Sequence, residues 1–334
     1  MKKMFLSVLV VGCALYSNAF CEEGTVPDLY QKDKAVGFAN AEFLYWTVDE
    51  GGLDYALKQS SPPARDIVAA RGHAEKATFH WDPGFRVALG YFNAPKYWEV
   101  FGQFTWMRNK GSDHANKPSP LTVYLNATWP TGLLHALSSA SSHIHLSYNI
   151  ADLLASRVFI PNPHLRLRLV GGLTGGWINQ HWNIHYTDVS EHISKLSNKW
   201  KFWGGGFRLG LNLDWYLGAD FYLTGKSSVA TLIGKYRNES TSYTTESPAG
   251  ELGNSHFDDW RGVVNLQFLL GPSWQMPLSF GRIEIFAGYE LGNWFNLQEF
   301  NRSFLGSVST DIETIKSTHL LTLHGLNVRL TLNF

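Results

Sequence analysis

From residue 37 onward, large apolar residues recur at every second position. Over residues 85–92, Phe85, Val87, Leu89 and Tyr91 alternate with Arg86, Ala88 and Gly90. Trp98, Val100, Phe104 and Trp106 then alternate with Glu99, Gln103 and Thr105. The same pattern sets Leu165, Leu167, Leu169 and Leu173 against Arg166, Arg168, Gly172 and Thr174, and Phe207, Leu209, Leu211 and Leu213 against Arg208, Gly210, Asn212 and Asp214. A strict period of two is the mark of a strand with unlike faces, because successive side chains point to opposite sides of a sheet. Ten strands are expected, near 37–48, 81–93, 96–108, 143–160, 164–187, 198–215, 218–236, 258–276, 281–297 and 315–334. A further hairpin within 109–142, where Leu121-Thr122-Val123-Tyr124-Leu125 alternates briefly, would make twelve.

Alternation alone fits a soluble sandwich as well as a membrane barrel. The connections separate the two. Asn93-Ala94-Pro95, Pro161-Asn162-Pro163, Tyr216-Leu217 and Pro277-Leu278-Ser279-Phe280 are very short. The connections after strands one, three, seven and nine are long and polar, and the one after strand five is intermediate. Short turns at one end and long loops at the other are the plan of an outer-membrane barrel, with short periplasmic turns and long extracellular loops. The expected fold is therefore all-β, a closed antiparallel transmembrane barrel over 37–334. Several strands exceed the ~9–11 residues that cross a bilayer and should project beyond it. Trp98, Trp106, Trp177, Trp215, Trp274 and Tyr91, near strand ends on the outward face, suit interfacial girdles.

Composition agrees. Apolar residues make up 44% while mean hydropathy is −0.15, so the apolar content is dispersed rather than blocked. Charged residues are 17%, below the ~25% of an ordinary soluble domain. The formal net charge of +0 gives no reason to expect nucleic acid as a partner.

The first residues read as an export signal over 1–19. Lys2 and Lys3 supply the positive region, a short apolar stretch follows, and Ser17-Asn18-Ala19 offers the small residues of a cleavage site. Val10-Val11-Gly12-Cys13 is a rival lipoprotein box with a very short apolar stretch. Cleavage after Ala19 would leave Cys21 as a lone thiol on a polar periplasmic leader over 20–36, unpaired or bridging two chains.

The final strand sets Leu326, Val328, Leu330, Leu332 and Phe334 against Asn327, Arg329, Thr331 and Asn333. An amphipathic last strand ending in Phe resembles the signal read by the barrel-assembly machinery. That machinery and outer-membrane lipids are the expected partners, and a homo-oligomer is left open.

Several segments resemble one family. Residues 81–91 (WDPGFRVALGY), 41–46 (AEFLYW), 146–153 (LSYNIADL), 175–180 (GGWINQ), 202–211 (FWGGGFRLGL) and 324–329 (HGLNVR) are similar, in order, to the Legionella-type major outer membrane protein family. That pore-forming family has relatives in environmental chlamydiae. The resemblance implies an outer-membrane porin-like or major surface protein, with no catalytic motif to carry over. Departures fall in the long loops and at Ala155-Ser156.

The inward charges read from alternation are Glu42 on the first strand, Arg86 on the second and Glu99 on the third. Arg166 and Arg168 follow on the fifth, Arg208 and Asp214 on the sixth, and Lys226 on the seventh. Arg282, Glu284 and Glu290 lie on the ninth strand and Arg329 on the last. Such charges either select ions at a constriction or pair off and hold the wall together. Ten strands enclose a narrow lumen, since ~8 leave room only for side chains. Gly90, Gly172, Gly210 and Gly288 free some inner volume. The expected function is passive diffusion of small hydrophilic solutes or ions. The alternative is a structural or adhesive surface protein with a plugged lumen, acting through loops around 49–80 and 109–142.

No enzyme, cofactor or metal is expected. Asp258-Asp259 and Asp113-His114 resemble protease pairs, but adjacent residues in a strand face opposite ways. His181 and His185 share a face ~13 Å apart, too far for one ion even with His192 nearby.

Overall fold

The computed structural model describes residues 35–59, 72–93, 96–117, 123–133, 135–246, 250–278, 281–305 and 312–334. The export signal, the lipoprotein box, Cys21 and the leader up to residue 34 lie outside the described residues, as do Leu121 and Thr122.

Thirteen strands form one antiparallel sheet. Ten of them make the wall: β1 (Ala35–Glu50), β4 (Asp82–Asn93), β5 (Trp98–Asn116), β7 (Leu137–Asn162), β8 (Leu165–Asp188), β9 (Ile193–Gly218), β10 (Phe221–Thr244), β11 (Gly250–Leu278), β12 (Gly281–Leu305) and β13 (Ile312–Asn333). The ring closes where β1 runs antiparallel to β13, from Phe38↔Asn333 to Glu50↔Leu321. Closure leaves no open edge, the condition for a sheet that crosses lipid. The remaining strands, β2 (Asp54–Gln59), β3 (Gly72–Lys76) and β6 (Tyr124–Ala127), do not enlarge the ring. They pair in the order β3-β2-β6 and attach to β7 through Leu125↔Leu137. The short run at 123–125 thus belongs to this insert, and the wall keeps ten strands.

Three expectations about connections change, the first being that residues 298–305 and 312–314 extend β12 and β13 as paired wall where a long loop is expected. Residues 237–244 and 250–257 continue β10 and β11 as paired wall rather than forming a long loop. The β9–β10 reversal is a two-residue turn at Ala219 and Asp220, not at Tyr216-Leu217. Their φ of 49° and 61° is the left-handed pair of the tight hairpin. At 26 residues, β9 runs roughly 85 Å along its axis, or about 60 Å of height at a 45° tilt. Only about half of that lies within a hydrocarbon core of about 30 Å.

The boundary between the two halves is written in the alternation itself. Along β8, outward Leu165, Leu167, Leu169, Leu173 and Trp177 give way to Asn179, His181, Asn183 and His185 at the same parity. Inward Arg166, Arg168 and Thr174 give way to Ile178, Trp182, Ile184 and Tyr186, the last four fully buried. In β9, outward Leu213 to Trp203 is followed toward the rim by Lys201, Lys199 and Lys195. The strand does not change register; its outer neighbour changes from lipid to water, so the apolar side moves inside. Aromatic contacts mark the level of the change: Tyr45 stacks on Trp81 at 5.7 Å, Phe85 on Trp106 at 5.2 Å, and Trp203 meets Trp260 at 6.3 Å. Arg108 lies over Trp106 there, and Arg157 over Trp98 at the periplasmic girdle.

Candidate functional site in the barrel lumen

The membrane half of the lumen is built by inward positions of all ten wall strands. Glu42, Arg86, Glu99, Arg166, Arg208, Asp214, Glu284, Glu290 and Arg329 are buried there, and Arg168, Lys226 and Arg282 are partly accessible. Asp152, on β7, joins them and was missed by the sequence reading. The seven cations among these face six carboxylates, so the lumen is close to neutral.

The charges are organised as two linked groups. Midway up, Arg86 is the hub: Nη1 donates to Glu42 at 2.7 Å and to Glu290 at 3.0 Å. Its Nη2 donates to Glu290 at 2.8 Å and its Nε to Thr105 at 2.9 Å. Asn327 bridges Glu42 and Glu290, and Gln267 carries the network to Arg208, which pairs with Asp152 at 3.1 Å. Toward the periplasm, Asp214 holds Arg166 at 2.6 Å and Arg168 at 2.8 Å while accepting from Thr224. Arg329 pairs with Glu284 at 2.7 Å, and Glu99 accepts from Ser156 at 2.6 Å. Lys226 stands between the groups, 3.7 Å from Glu42. Charge-assisted bonds of this length cross from strand to strand and tie the wall together.

Two cavities, of about 70 Å³ and 50 Å³, open between these side chains. Both are lined by Phe101, Gln103, Asn212 and Lys226, so the two adjoin. Gly210 frees room in the first.

Above them the lumen is filled chiefly by apolar side chains, with Glu50, Gln180, Arg261 and Glu299 buried among them. Tyr148 meets Trp294 at 6.0 Å, and Trp182 meets Phe300 at 5.5 Å. The β2–β3–β6 insert supplies the middle of this packing. Leu53, Tyr55, Leu125 and Trp129 are buried in the same cluster as the inward residues of β8 and β12. Trp129 contacts Trp182 at 5.4 Å and Phe300 at 6.1 Å, while its indole N–H donates to the Asp54 carbonyl at 3.1 Å. Tyr186 in the wall donates its hydroxyl to the Tyr55 carbonyl at 2.5 Å. Parts of the stretches 49–80 and 109–142, expected as outward loops, therefore fold into the mouth. Residues 112–116 and 137–140 are wall strand, so a deletion of the whole second stretch would cut the barrel.

Neither protease-like pair converges. Asp258 faces outward and binds Arg237 and Lys235, whereas Asp259 pairs with Arg261. His114 bonds Asn116 at 2.6 Å. His181 and His185 face outward above the lipid band, and His192 lies apart from them at the rim, against Asp188 and Glu246.

A closed ten-stranded barrel, apolar and girdled outside in one half and charged inside in that half, is an outer-membrane barrel protein. Residues 31–334 match the family described as Legionella pneumophila major outer membrane protein precursor, and the chain belongs to that family. No curated protein matches it significantly. Among solved structures, the outer membrane protease OmpT of Escherichia coli is similar at 10% identity and a TM-score of 0.43, covering 92% of this chain and 99% of that one. The toluene transporter TodX of Pseudomonas putida is similar at 10% identity and 0.32, covering 89% of each. Ail of Yersinia pestis is similar at 12% and 0.26, covering 67% of this chain and 99% of that one.

Proposed function

We propose that this outer-membrane protein is a porin-like barrel whose membrane half carries small hydrophilic solutes or ions, and whose β2–β3–β6 insert acts as the gate. The observation that carries this reading is the pair of adjoining cavities around Lys226 and Gln103, bordered by the charged side chains of the lumen. Among the described residues, the gate is bonded to the wall at Leu125↔Leu137 and through the Tyr186 hydroxyl. Its displacement leaves the wall pairing intact.

A second reading is favoured by the near-neutral ion pairing: a permanently closed structural or adhesive surface protein, with about half of the barrel presented outside the lipid. Planar-bilayer recordings separate the two. The gated reading expects rare single-channel steps from the intact protein and frequent ones after Trp129→Ala, which removes the centre of the plug. Absence of steps in both proteins, across a range of salts, leaves the closed surface protein.

A further inference from the structure

The outer rim brings together four side chains from three connections. His135 lies between β6 and β7, Asp188 ends β8, His192 sits in the β8–β9 turn, and Glu246 follows β10. One ligand-capable atom each from His135, Asp188 and Glu246 lie within 4.8 Å of one another. His192 Nδ1 is 3.2 Å from Asp188 Oδ2 and 3.1 Å from Glu246 Oε2. The two imidazoles stack, with centroids 6.4 Å apart and planes 15° from parallel.

Bonds of about 2.0–2.1 Å would put tetrahedral ligands about 3.3 Å apart, inside the 4.8 Å spread of the His135, Asp188 and Glu246 atoms. The His135 and His192 rings, 6.4 Å between centroids, stand too far apart for both to bind one tetrahedral ion, which leaves His192 as the group that orients Asp188.

A second observation points to a cation. Glu246 is 8% exposed, and its Oε2 is shut off from solvent without accepting a hydrogen bond. The nearby His192 Nδ1 gives its bond to Asp188. A buried carboxylate oxygen with nothing to accept is costly, unless a positive charge sits beside it.

The frame is already rigid. Asp188 Oδ1 accepts the backbone N–H groups of Ser190 at 2.8 Å and His192 at 2.9 Å, which leaves Oδ2 directed at the cluster. Val189 N donates to Ala136 O at 3.0 Å, and Thr245 N to Ile193 O at 2.9 Å. The three connections are thus fixed to one another at the site.

We infer that this rim cluster is a Zn²⁺ site, with His135, Asp188 and Glu246 as ligands and His192 holding Asp188 in place. The mixed imidazole and carboxylate set suits zinc, whereas calcium and magnesium take oxygen ligands. A bound ion would clamp three surface connections of the barrel mouth.

The test is isothermal titration of Zn²⁺ into the refolded full-length barrel after chelator treatment, with heat-modifiable gel migration confirming that each variant is folded. One equivalent should bind, with an affinity at least about tenfold weaker in His135→Ala and in Glu246→Gln. Cobalt in place of zinc should give the visible absorption of a tetrahedral centre. His181→Ala controls for the outward stripe, where His145 and His181 are cross-strand partners; it should leave binding unchanged. The inference is overturned by the absence of saturable binding up to about 100 μM zinc, or by binding that follows His181 and ignores His135 and Glu246.

Discussion

Replacing Arg86 by Met would test whether the lumen network holds the wall together. Arg86 is 4% exposed and makes four bonds, two of them to Glu290 and one each to Glu42 and Thr105. Met has similar length and no charge, so the main loss is compensation of two buried carboxylates. Breaking a buried pair by removing one partner typically costs about 3–5 kcal/mol. The lower end applies here. Glu290 keeps bonds from Asn327 and Gln267, and Glu42 keeps Asn327 with Lys226 and Arg329 slightly farther off. A destabilisation of about 3 kcal/mol is expected, read from urea unfolding in lipid vesicles by tryptophan fluorescence. Glu290→Gln in the same background should recover more than about 1 kcal/mol, because the coupled groups share one network. Purely additive effects of the two substitutions would refute the network as the element that joins β1, β4, β12 and β13.

Other outcomes follow from the same geometry. Glu50 faces inward above the lipid band with its Oε1 accepting from Gln180 at 2.9 Å, and burial pushes its carboxyl up to about 8 despite that bond and the Lys76 charge. The unfolded chain gives up this proton near pH 4.5 and the folded protein near 8, so the stability it contributes is full below 4.5 and is lost as pH rises to 8. Glu50→Gln should flatten that decline in urea titrations at pH 5 and pH 8, and an unchanged slope refutes it. Lys226→Glu should move the reversal potential of any conducting state toward cations, since Lys226 borders both cavities; an unmoved potential puts the path elsewhere. It is a better reporter than Arg166 or Arg168, which clamp Asp214 and would disturb the wall when reversed. Gly234→Val should prevent heat-modifiable folding, because a Cβ there would run into the Trp203 carbonyl and the Gly204 backbone of β9. A normally folded variant would show that the sheet can open at that level.

The wall was legible because its signal is local. Each of the ten strands carries its own period of two, and a closed ring needs nothing more from sequence than that repeat and the turns. Side-chain parity also gave the inward charges, although their roles in conduction stay with the proposal. Asp152 escaped because the inward positions on either side of it, Ile150 and Leu154, are apolar and blur the alternation. The mouth insert was hidden for a different reason: β2 pairs with β6 from Ala56↔Ala127 to Gln59↔Tyr124, a contact between segments far apart in the chain. The rim cluster is still less visible, since four single residues at 135, 188, 192 and 246 form no motif.

The change of alternation partway up each long strand has a consequence for how this surface can vary. In the projecting half of β7, β8 and β9, every second residue points into water and touches neither lipid nor the apolar filling. Those positions form a comb of sites free to change charge, size or antigenic character one at a time. Their neighbours must stay fixed. A population under selection at the cell surface could therefore rewrite half of the exposed wall without altering the barrel beneath it.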